Sequence, residues 1–233
     1  GTWSIMGAEV QDPVINDQSL AFNLTNEGGV AGTWRLSKNI MGLWLVQECR
    51  RTWQRQGEDL SYDEITRLAA QSEPFQAFVD PDADDFLHPG DMPARIRAFC
   101  ARTGQAQPES KGAVLRCALE SLALKYRWVL ERLEQVLGYR LEPIHIIGGG
   151  TKNALLNQLT ADATGRTVIT GPVEATAAGN ILMQAVGLGQ LGSVKDGREV
   201  VRRSFTPQVY EPRAASGWDD AYGRLLEVIP SHA

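Results

Sequence analysis

Three consecutive glycines, residues 148–150, are the part of the chain best suited to binding a ligand. An apolar segment, residues 144–147, precedes them, and leucines at helical spacing follow Asn153 until Gly165. This pattern predicts a strand, a glycine turn and a helix, in which a ligand can approach the backbone without meeting a Cβ atom. The free N–H groups at the helix start favour a phosphate or another electron-rich group. We therefore predict a ligand-binding turn, with a plain tight turn as the alternative.

A second glycine-containing element, Gly1-Thr2, offers a backbone N–H and a hydroxyl to a phosphate. Two loops that close on one nucleotide from opposite sides are typical of actin-like ATPases. The sequence has no Gly-x-x-x-x-Gly-Lys-Ser/Thr motif, which excludes a P-loop enzyme, and its triple glycine does not fit Gly-x-Gly-x-x-Gly.

Two further features leave alternatives open. Gln47 follows an apolar segment of a helix that we predict over residues 39–56. A buried amide needs partners, because an unpaired one costs about 1–3 kcal/mol, and they could be backbone groups or a ligand. Five small residues, 175–179, follow Glu174 and permit close approach by another helix or by a flat ring such as adenine.

Other candidate chemistry is weak. The aspartates of residues 80–85 have the 1-3-5 spacing of a calcium loop, but Asp85 and Asp91 occupy positions where that loop needs glycine and glutamate, so we predict a solvated loop. The three histidines are scattered. The three cysteines match no metal-ligand spacing and are predicted to be buried thiols; Cys100 and Cys117 could lie close, although a reducing compartment would keep them unpaired.

The composition indicates a cytoplasmic globular enzyme or module. A net charge of −5 and a pI near 5.3 argue against a dominant nucleic-acid surface. No segment approaches the ~20 apolar residues of a membrane span. The chain starts at Gly1 without a methionine and enters a strand at once, so we expect a piece of a longer protein.

The remaining elements follow from periodicity and capping residues. Predicted strands cover residues 2–10, 20–26, 33–37, 144–147 and 167–170. Predicted helices cover residues 39–56, 61–72, 91–102, 108–137, a stretch from 174 to 182, 195–203 and 214–228.

Six segments resemble the FGGY family of carbohydrate kinases, and within it the kinases that act on L-rhamnulose: GTWSIMG (1–7), TNEGG (25–29), KNIMGLWL (38–45), FVDPD (78–82), GGGTKNALLNQL (148–159) and GPVEATAAGN (171–180). The resemblance implies an α/β fold, an actin-like ATPase (ribonuclease H-like) domain. Its mixed central sheet would be flanked by helices, with an N-terminal β-hairpin and a large helical insertion.

The same resemblance implies a site and a reaction. The residues expected to bind ATP are Thr2, Gln47, Gly148, Gly149, Gly150 and Asn153. Asn39 would contact the sugar, and Glu174 with the small residues after it would border the adenine. With Mg²⁺ offsetting phosphate charge, the intact enzyme would transfer the γ-phosphate of ATP to the 1-hydroxyl of L-rhamnulose.

The resemblance also implies that residues 1–233 are the C-terminal, nucleotide-binding domain of a two-domain kinase. An N-terminal domain would supply the general-base aspartate and most sugar contacts, so we expect no catalytic residue in this chain and no activity from it alone. The alternatives are a kinase for another ketose, such as fuculose or xylulose, and a non-catalytic actin-like nucleotide-binding module.

Overall fold

The computed structural model describes residues 3–214 and 216–229. Within these ranges six β-strands form: β1 (Trp3–Val10), β2 (Thr25–Gly28), β3 (Trp34–Met41), β4 (Ile144–Ile146), β5 (Val168–Thr170) and β6 (Val209–Tyr210). The same ranges contain nine α-helices: α1 (Asp17–Ala21), α2 (Trp44–Arg55), α3 (Tyr62–Ala70), α4 (Met92–Arg102), α5 (Lys111–Leu137), α6 (Ala154–Thr164), α7 (Ala175–Gly187), α8 (Val194–Ser204) and α9 (Trp218–Val228).

The first sheet is antiparallel, with strand order β1-β3-β2. Its β1–β3 register places Ile5 opposite Asn39. Gly7 is required where these strands meet, because a Cβ atom there would lie 2.5 Å from the carbonyl oxygen of Leu36. Exposed and more buried residues alternate along β1, as expected of a strand with one solvated face, whereas β3 buries three consecutive residues, Leu36, Ser37 and Lys38.

The second sheet is mixed, with strand order β4-β5-β6. Strands β4 and β5 are parallel and joined through α6, whereas β5 and β6 are antiparallel. This sheet carries the triple glycine at the end of β4, the position where ligands commonly bind in parallel α/β units.

The 27-residue helix α5 is the centre of the core. It packs against both the first sheet and the helices α2, α3, α4, α6 and α9. At the crossing with α3, Gly112 permits close approach, since a Cβ atom there would lie 2.6 Å from the carbonyl oxygen of Leu68. Because α5 contacts both β1 and β3, it can hold the strands that border the site.

Two predicted helix starts are confirmed in atomic detail. Ser61 and Glu64 form the predicted capping box at the start of α3. Asp91 caps α4 by accepting a hydrogen bond of 3.1 Å from the N–H of Ala94. Side-chain acceptors of this kind satisfy N–H groups that have no partner inside the helix.

Two predicted elements are wrong in part. The helix predicted from residue 39 begins at Trp44, because residues 39–41 belong to β3 and pair with β1. The strand predicted over residues 20–26 is replaced by α1 and the shorter β2. A capping box between Asn16 and Ser19 starts α1, and this local signal favours a helix over a strand there.

The predicted α/β class, with a mixed sheet flanked by helices, is confirmed. The described strands form two three-stranded sheets, and β2 and β3 form the predicted hairpin. The helices between residues 44 and 137 correspond to the predicted helical insertion. In the described parts of the chain, no helix has the length and apolar character needed to cross a membrane.

Candidate nucleotide and sugar site

The glycine turn is fixed to the segment that precedes α7. The N–H of Gly148 donates to the carbonyl oxygen of Pro172 at 3.0 Å. The N–H of Gly171 donates in return to the carbonyl oxygen of Ile146 at 2.7 Å. These two hydrogen bonds bring the triple glycine and the segment before α7 together.

Gly148 occupies a backbone conformation that favours glycine, with φ at 79°. A Cβ atom there would have the carbonyl oxygen of Val173, 4.0 Å away, as its nearest described neighbour, so the turn has open space beside it. Gly149 is exposed and Gly150 partly buried. The turn therefore presents backbone to a space into which a ligand can fit.

The chain does not pass directly from the glycines into α6. Residues Gly148–Lys152 form a 3-10 turn, in which the Thr151 hydroxyl donates to the carbonyl oxygen of Gly148 at 2.8 Å. Asn153 then caps α6, since its Oδ1 accepts from the N–H of Leu156 at 2.9 Å. A contact between Asn153 and ATP would therefore use the side-chain NH₂ group.

Helix α7 leaves its small residues exposed or only partly buried. No residue of α7 is buried, and Glu174, at its N-cap position, is exposed. A Cβ atom on Gly179 would meet no described atom within 4 Å. Close helix packing, one of the two interpretations of these small residues, therefore does not explain Gly179.

Asn39 lies near the end of β3, with an exposed side chain between the buried residues Lys38 and Ile40. The adjacent strand brings Ile5 opposite Asn39 and Ser4 opposite Ile40. Thr2, predicted to contact the ATP phosphates, lies outside the described residues. The described part of β1 begins with Trp3 opposite Met41, two residues after Asn39.

Gln47 lies in the first turn of α2, partly buried, and its backbone N–H donates to the carbonyl oxygen of Leu43 at 2.9 Å. The expectation that Gln47 and Asn39 share one helix is wrong, because the chain changes from β3 to α2 between them. The first sheet and α2 therefore carry one group of predicted site residues, and the glycine turn carries the other.

The predicted solvated loop at residues 80–85 is wrong in its first part. Asp80 is 2% exposed, and Lys125, fully buried on α5, places its Nζ atom 2.8 Å from Asp80 Oδ1 and 3.1 Å from Asp82 Oδ2. A buried carboxylate needs such a partner, because removing a charge from water costs several kcal/mol. Lys125 supplies the positive charge that these two carboxylates face. No cluster of three or more metal-ligating side chains occurs in residues 3–214 and 216–229.

Hydrogen bonds connect this ion cluster to the site. Asp82 Oδ1 accepts from the N–H of Met41 at 2.6 Å, two residues after Asn39. The next residue of α5, Tyr126, has its hydroxyl 2.6 Å from the hydroxyl of Ser4 on β1. Burial raises the pKa of Tyr126 to about 12. Neither contact follows from local sequence pattern, although a lysine among the apolar residues of α5 is a signal of a buried charge.

The three cysteines are buried free thiols, as predicted. A hydrogen bond from Cys117 lowers the pKa of Cys100, and the same bond with burial raises the pKa of Cys117. The two thiols are therefore neighbours in the contact between α4 and α5.

Comparison with curated proteins finds close sequence relatives. The rhamnulokinase of Bacteroides thetaiotaomicron is 47% identical over 222 residues, which make up 95% of this chain and 45% of that protein. The rhamnulokinase of Bacillus subtilis is 40% identical over 213 residues, 91% of this chain and 43% of that protein. The chain thus spans less than half the length of either relative.

Solved structures of low sequence identity share the fold. A xylulose kinase from Rhodospirillum rubrum matches 97% of this chain and 44% of its own, with a TM-score of 0.71 at 15% identity. A Plasmodium falciparum glycerol kinase with ADP matches 97% of this chain and 43% of its own, with a TM-score of 0.66 at 13% identity. These matches confirm the actin-like ATPase fold.

The family model for the C-terminal domain of the FGGY carbohydrate kinases matches residues 1–188, well over half of the sequence. The chain therefore belongs to the FGGY family of carbohydrate kinases.

Proposed function

We propose that this chain is the ATP-binding part of a kinase that transfers the γ-phosphate of ATP to the 1-hydroxyl of L-rhamnulose. The observation that carries the proposal is the 47% identity to a rhamnulokinase, which extends over 95% of the chain. Kinases for fuculose or xylulose are the alternatives. The solved xylulose kinase has the same fold, but its sequence identity to this chain is only 15%.

In this proposal the glycine turn receives the nucleotide. The exposed backbone at Gly149, the open space beside Gly148 and the unburied start of α7 support it. The full set of proposed ATP contacts is Thr2, Gln47, Gly148, Gly149, Gly150 and Asn153. Glu174 and the small residues after it would border the adenine.

Asn39 is the proposed sugar contact within this chain. Its side chain is exposed on a strand whose neighbours are buried, so the backbone that carries it is held while the amide stays accessible. An amide offers both a donor and an acceptor, which suits recognition of a polyhydroxy ligand. Replacement by alanine would remove both.

The proposed enzyme is larger than the chain. We place residues 1–233 in one nucleotide-binding domain, with the general-base aspartate and most sugar contacts in an N-terminal domain. In this proposal Mg²⁺ binds together with ATP and offsets the charge of its phosphates. We expect no phosphate transfer by the isolated chain, and the reaction of the intact protein to occur in the cytoplasm.

The test uses the intact protein with ATP and L-rhamnulose, L-fuculose or D-xylulose as acceptors. We expect the highest kcat/KM with L-rhamnulose. Asn39→Ala should raise the KM for the sugar about tenfold, the loss of roughly one hydrogen bond, and leave the KM for ATP unchanged. Arg35→Ala is the matched control, since Arg35 is also exposed on β3 but near its other end.

The possible results separate the hypotheses. If the intact protein has its highest kcat/KM with another ketose, that ketose replaces L-rhamnulose as the proposed substrate. ATP binding without transfer to any sugar would favour a non-catalytic nucleotide-binding module.

A further inference from the structure

We propose that Asp82 and Lys125 are positioning residues for the sugar contact at Asn39. Lys125 holds the carboxylate of Asp82, and Asp82 holds the backbone at the end of β3. The inference rests on the proposed role of Asn39 in sugar binding.

The first step of this chain of contacts is the burial of Lys125. Its side chain has 0% exposure, and its Nζ atom lies 4.8 Å from the ring centre of Trp128, one turn along α5. A buried ammonium needs close acceptors, which Asp80 and Asp82 supply at 2.8 Å and 3.1 Å. Since Lys125 belongs to the central helix, the position of the Asp82 carboxylate is set by the core of the molecule.

The second step is the hydrogen bond from the N–H of Met41 to Asp82 Oδ1, at 2.6 Å. Met41 is the last residue of β3, after which the chain turns toward α2. A hydrogen bond to a carboxylate is roughly twice as strong as one between neutral groups. Asp82 thus fixes the direction in which the strand ends.

The third step follows from strand geometry. Asn39 and Met41 are two residues apart, so their side chains lie on the same face of the first sheet. Displacement of Met41 would therefore displace Asn39 with it. Misplacement of a binding group by about 1 Å is enough to lower catalysis strongly.

The two aspartates differ in a way that permits a matched experiment. Both contact Lys125, but among the described residues the N–H of Met41 donates to Asp82 and not to Asp80. Asp80 Oδ1 accepts instead from the N–H of Asp82 at 3.2 Å. Lys38 completes the cluster as a second buried cation near both carboxylates, and burial lowers its pKa.

The experiment measures steady-state kinetics of the intact protein with ATP and L-rhamnulose. Asp82→Ala should raise the KM for the sugar about tenfold and change the KM for ATP by less than about twofold. Asp82→Asn, which keeps an acceptor for Met41, should restore most of the sugar affinity. Asp80→Asn, which removes the same charge from Lys125, should leave the KM for the sugar near that of the unaltered protein.

Amide hydrogen exchange gives a second readout. Asp82→Ala should speed exchange in residues 39–43 and leave exchange in α6 unchanged, which a general loss of stability would not do. If the alanine variant does not fold, Asp82→Ser replaces it, because its shorter side chain also removes the carboxylate.

An unchanged sugar KM in folded Asp82→Ala, or equal effects of Asp80→Asn and Asp82→Ala, would overturn the inference while leaving the proposed function intact. Failure of the unaltered protein to phosphorylate L-rhamnulose would reject the proposed function, and the inference with it.

Discussion

Glu120, buried on α5, accepts a hydrogen bond of 2.8 Å from the backbone N–H of Phe75. Phe75 has a φ of 59°, in the left-handed region that residues with a side chain rarely adopt. The other carboxylate oxygen of Glu120 accepts from Arg116 Nε at 2.5 Å. The carboxylate therefore holds an unfavourable turn against the central helix.

Stability should depend on the ionisation of Glu120. Burial raises the pKa of this carboxyl above its usual 4.5, despite the opposing effect of Arg116. The folded protein thus binds the proton more tightly than the unfolded chain, and this contribution to stability is lost as the pH rises through the raised pKa. Relative to Glu120→Gln, the unaltered protein should lose free energy of unfolding between pH 4.5 and the raised pKa. Urea unfolding at several pH values measures this, and a relative gain with pH would show that the Arg116 pair outweighs burial.

The buried ammonium of Lys125 predicts a large effect on stability. Lys125→Met should lower the free energy of unfolding by about 3–5 kcal/mol, because Asp80 and Asp82 would lose their cation in the interior. Lys111→Met is the control on the same helix: Lys111 pairs with exposed Glu58, and such surface pairs contribute only about 0–1 kcal/mol. Urea unfolding of both variants gives the comparison, and similar losses would show that burial of Lys125 adds nothing.

Two glycine substitutions should distinguish the cost of backbone strain from the loss of ligand binding at the glycine turn. Gly148→Ala and Gly138→Ala place a side chain at nearly the same positive φ, 79° and 76°, so each should cost about 1–2 kcal/mol of stability. Gly138 ends α5, and nothing lies within 4 Å of a Cβ atom there. In the intact protein, Gly148→Ala should also weaken ATP binding about tenfold by calorimetry, because its Cβ would enter the space left for the nucleotide. Equal ATP affinities would remove Gly148 from the proposed site.

Helix packing at Gly112 predicts opposite signs for two glycine substitutions. Gly112→Ala should cost about 1–3 kcal/mol, since the new Cβ would lie 2.6 Å from the carbonyl oxygen of Leu68. Gly223→Ala, on the exposed face of α9 with no described atom within 4 Å of its Cβ, should stabilise by about 0.5–1 kcal/mol. Thermal unfolding reports both. Stabilisation by Gly112→Ala would mean that α3 can move away at little cost.

The helices were predictable where capping residues mark their ends. Ser61 with Glu64 starts α3, and Gly138 and Gly165, both at positive φ, end α5 and α6. These signals act within one or two turns of the chain, so the sequence displays them directly.

The start of α2 was not predictable from local pattern. Residues 40–46 are a continuous apolar run, which fits a buried strand as well as a buried helix. Pairing with β1, more than thirty positions away in the sequence, decides in favour of a strand as far as Met41.

The residues of the candidate site also divide into those that the sequence suggests and those that only the structure shows. The triple glycine and Asn39 could be proposed from the sequence, because both lie in motifs that resemble a known family, and their roles stay predictions. The contacts of Asp82 could not, since Lys125 is 43 positions away and a carboxylate-rich segment is ordinarily solvated. The fold brings these charges together, and no pattern of neighbouring residues in the sequence indicates that they meet.

Helix α7 has no fully buried residue, in contrast to α5, so less apolar burial opposes its transient opening than that of α5. Contact with a bound nucleotide would supply the burial that its own packing does not. The same helix would then report the binding of ATP, with amide protection that rises more than in the tightly packed α5.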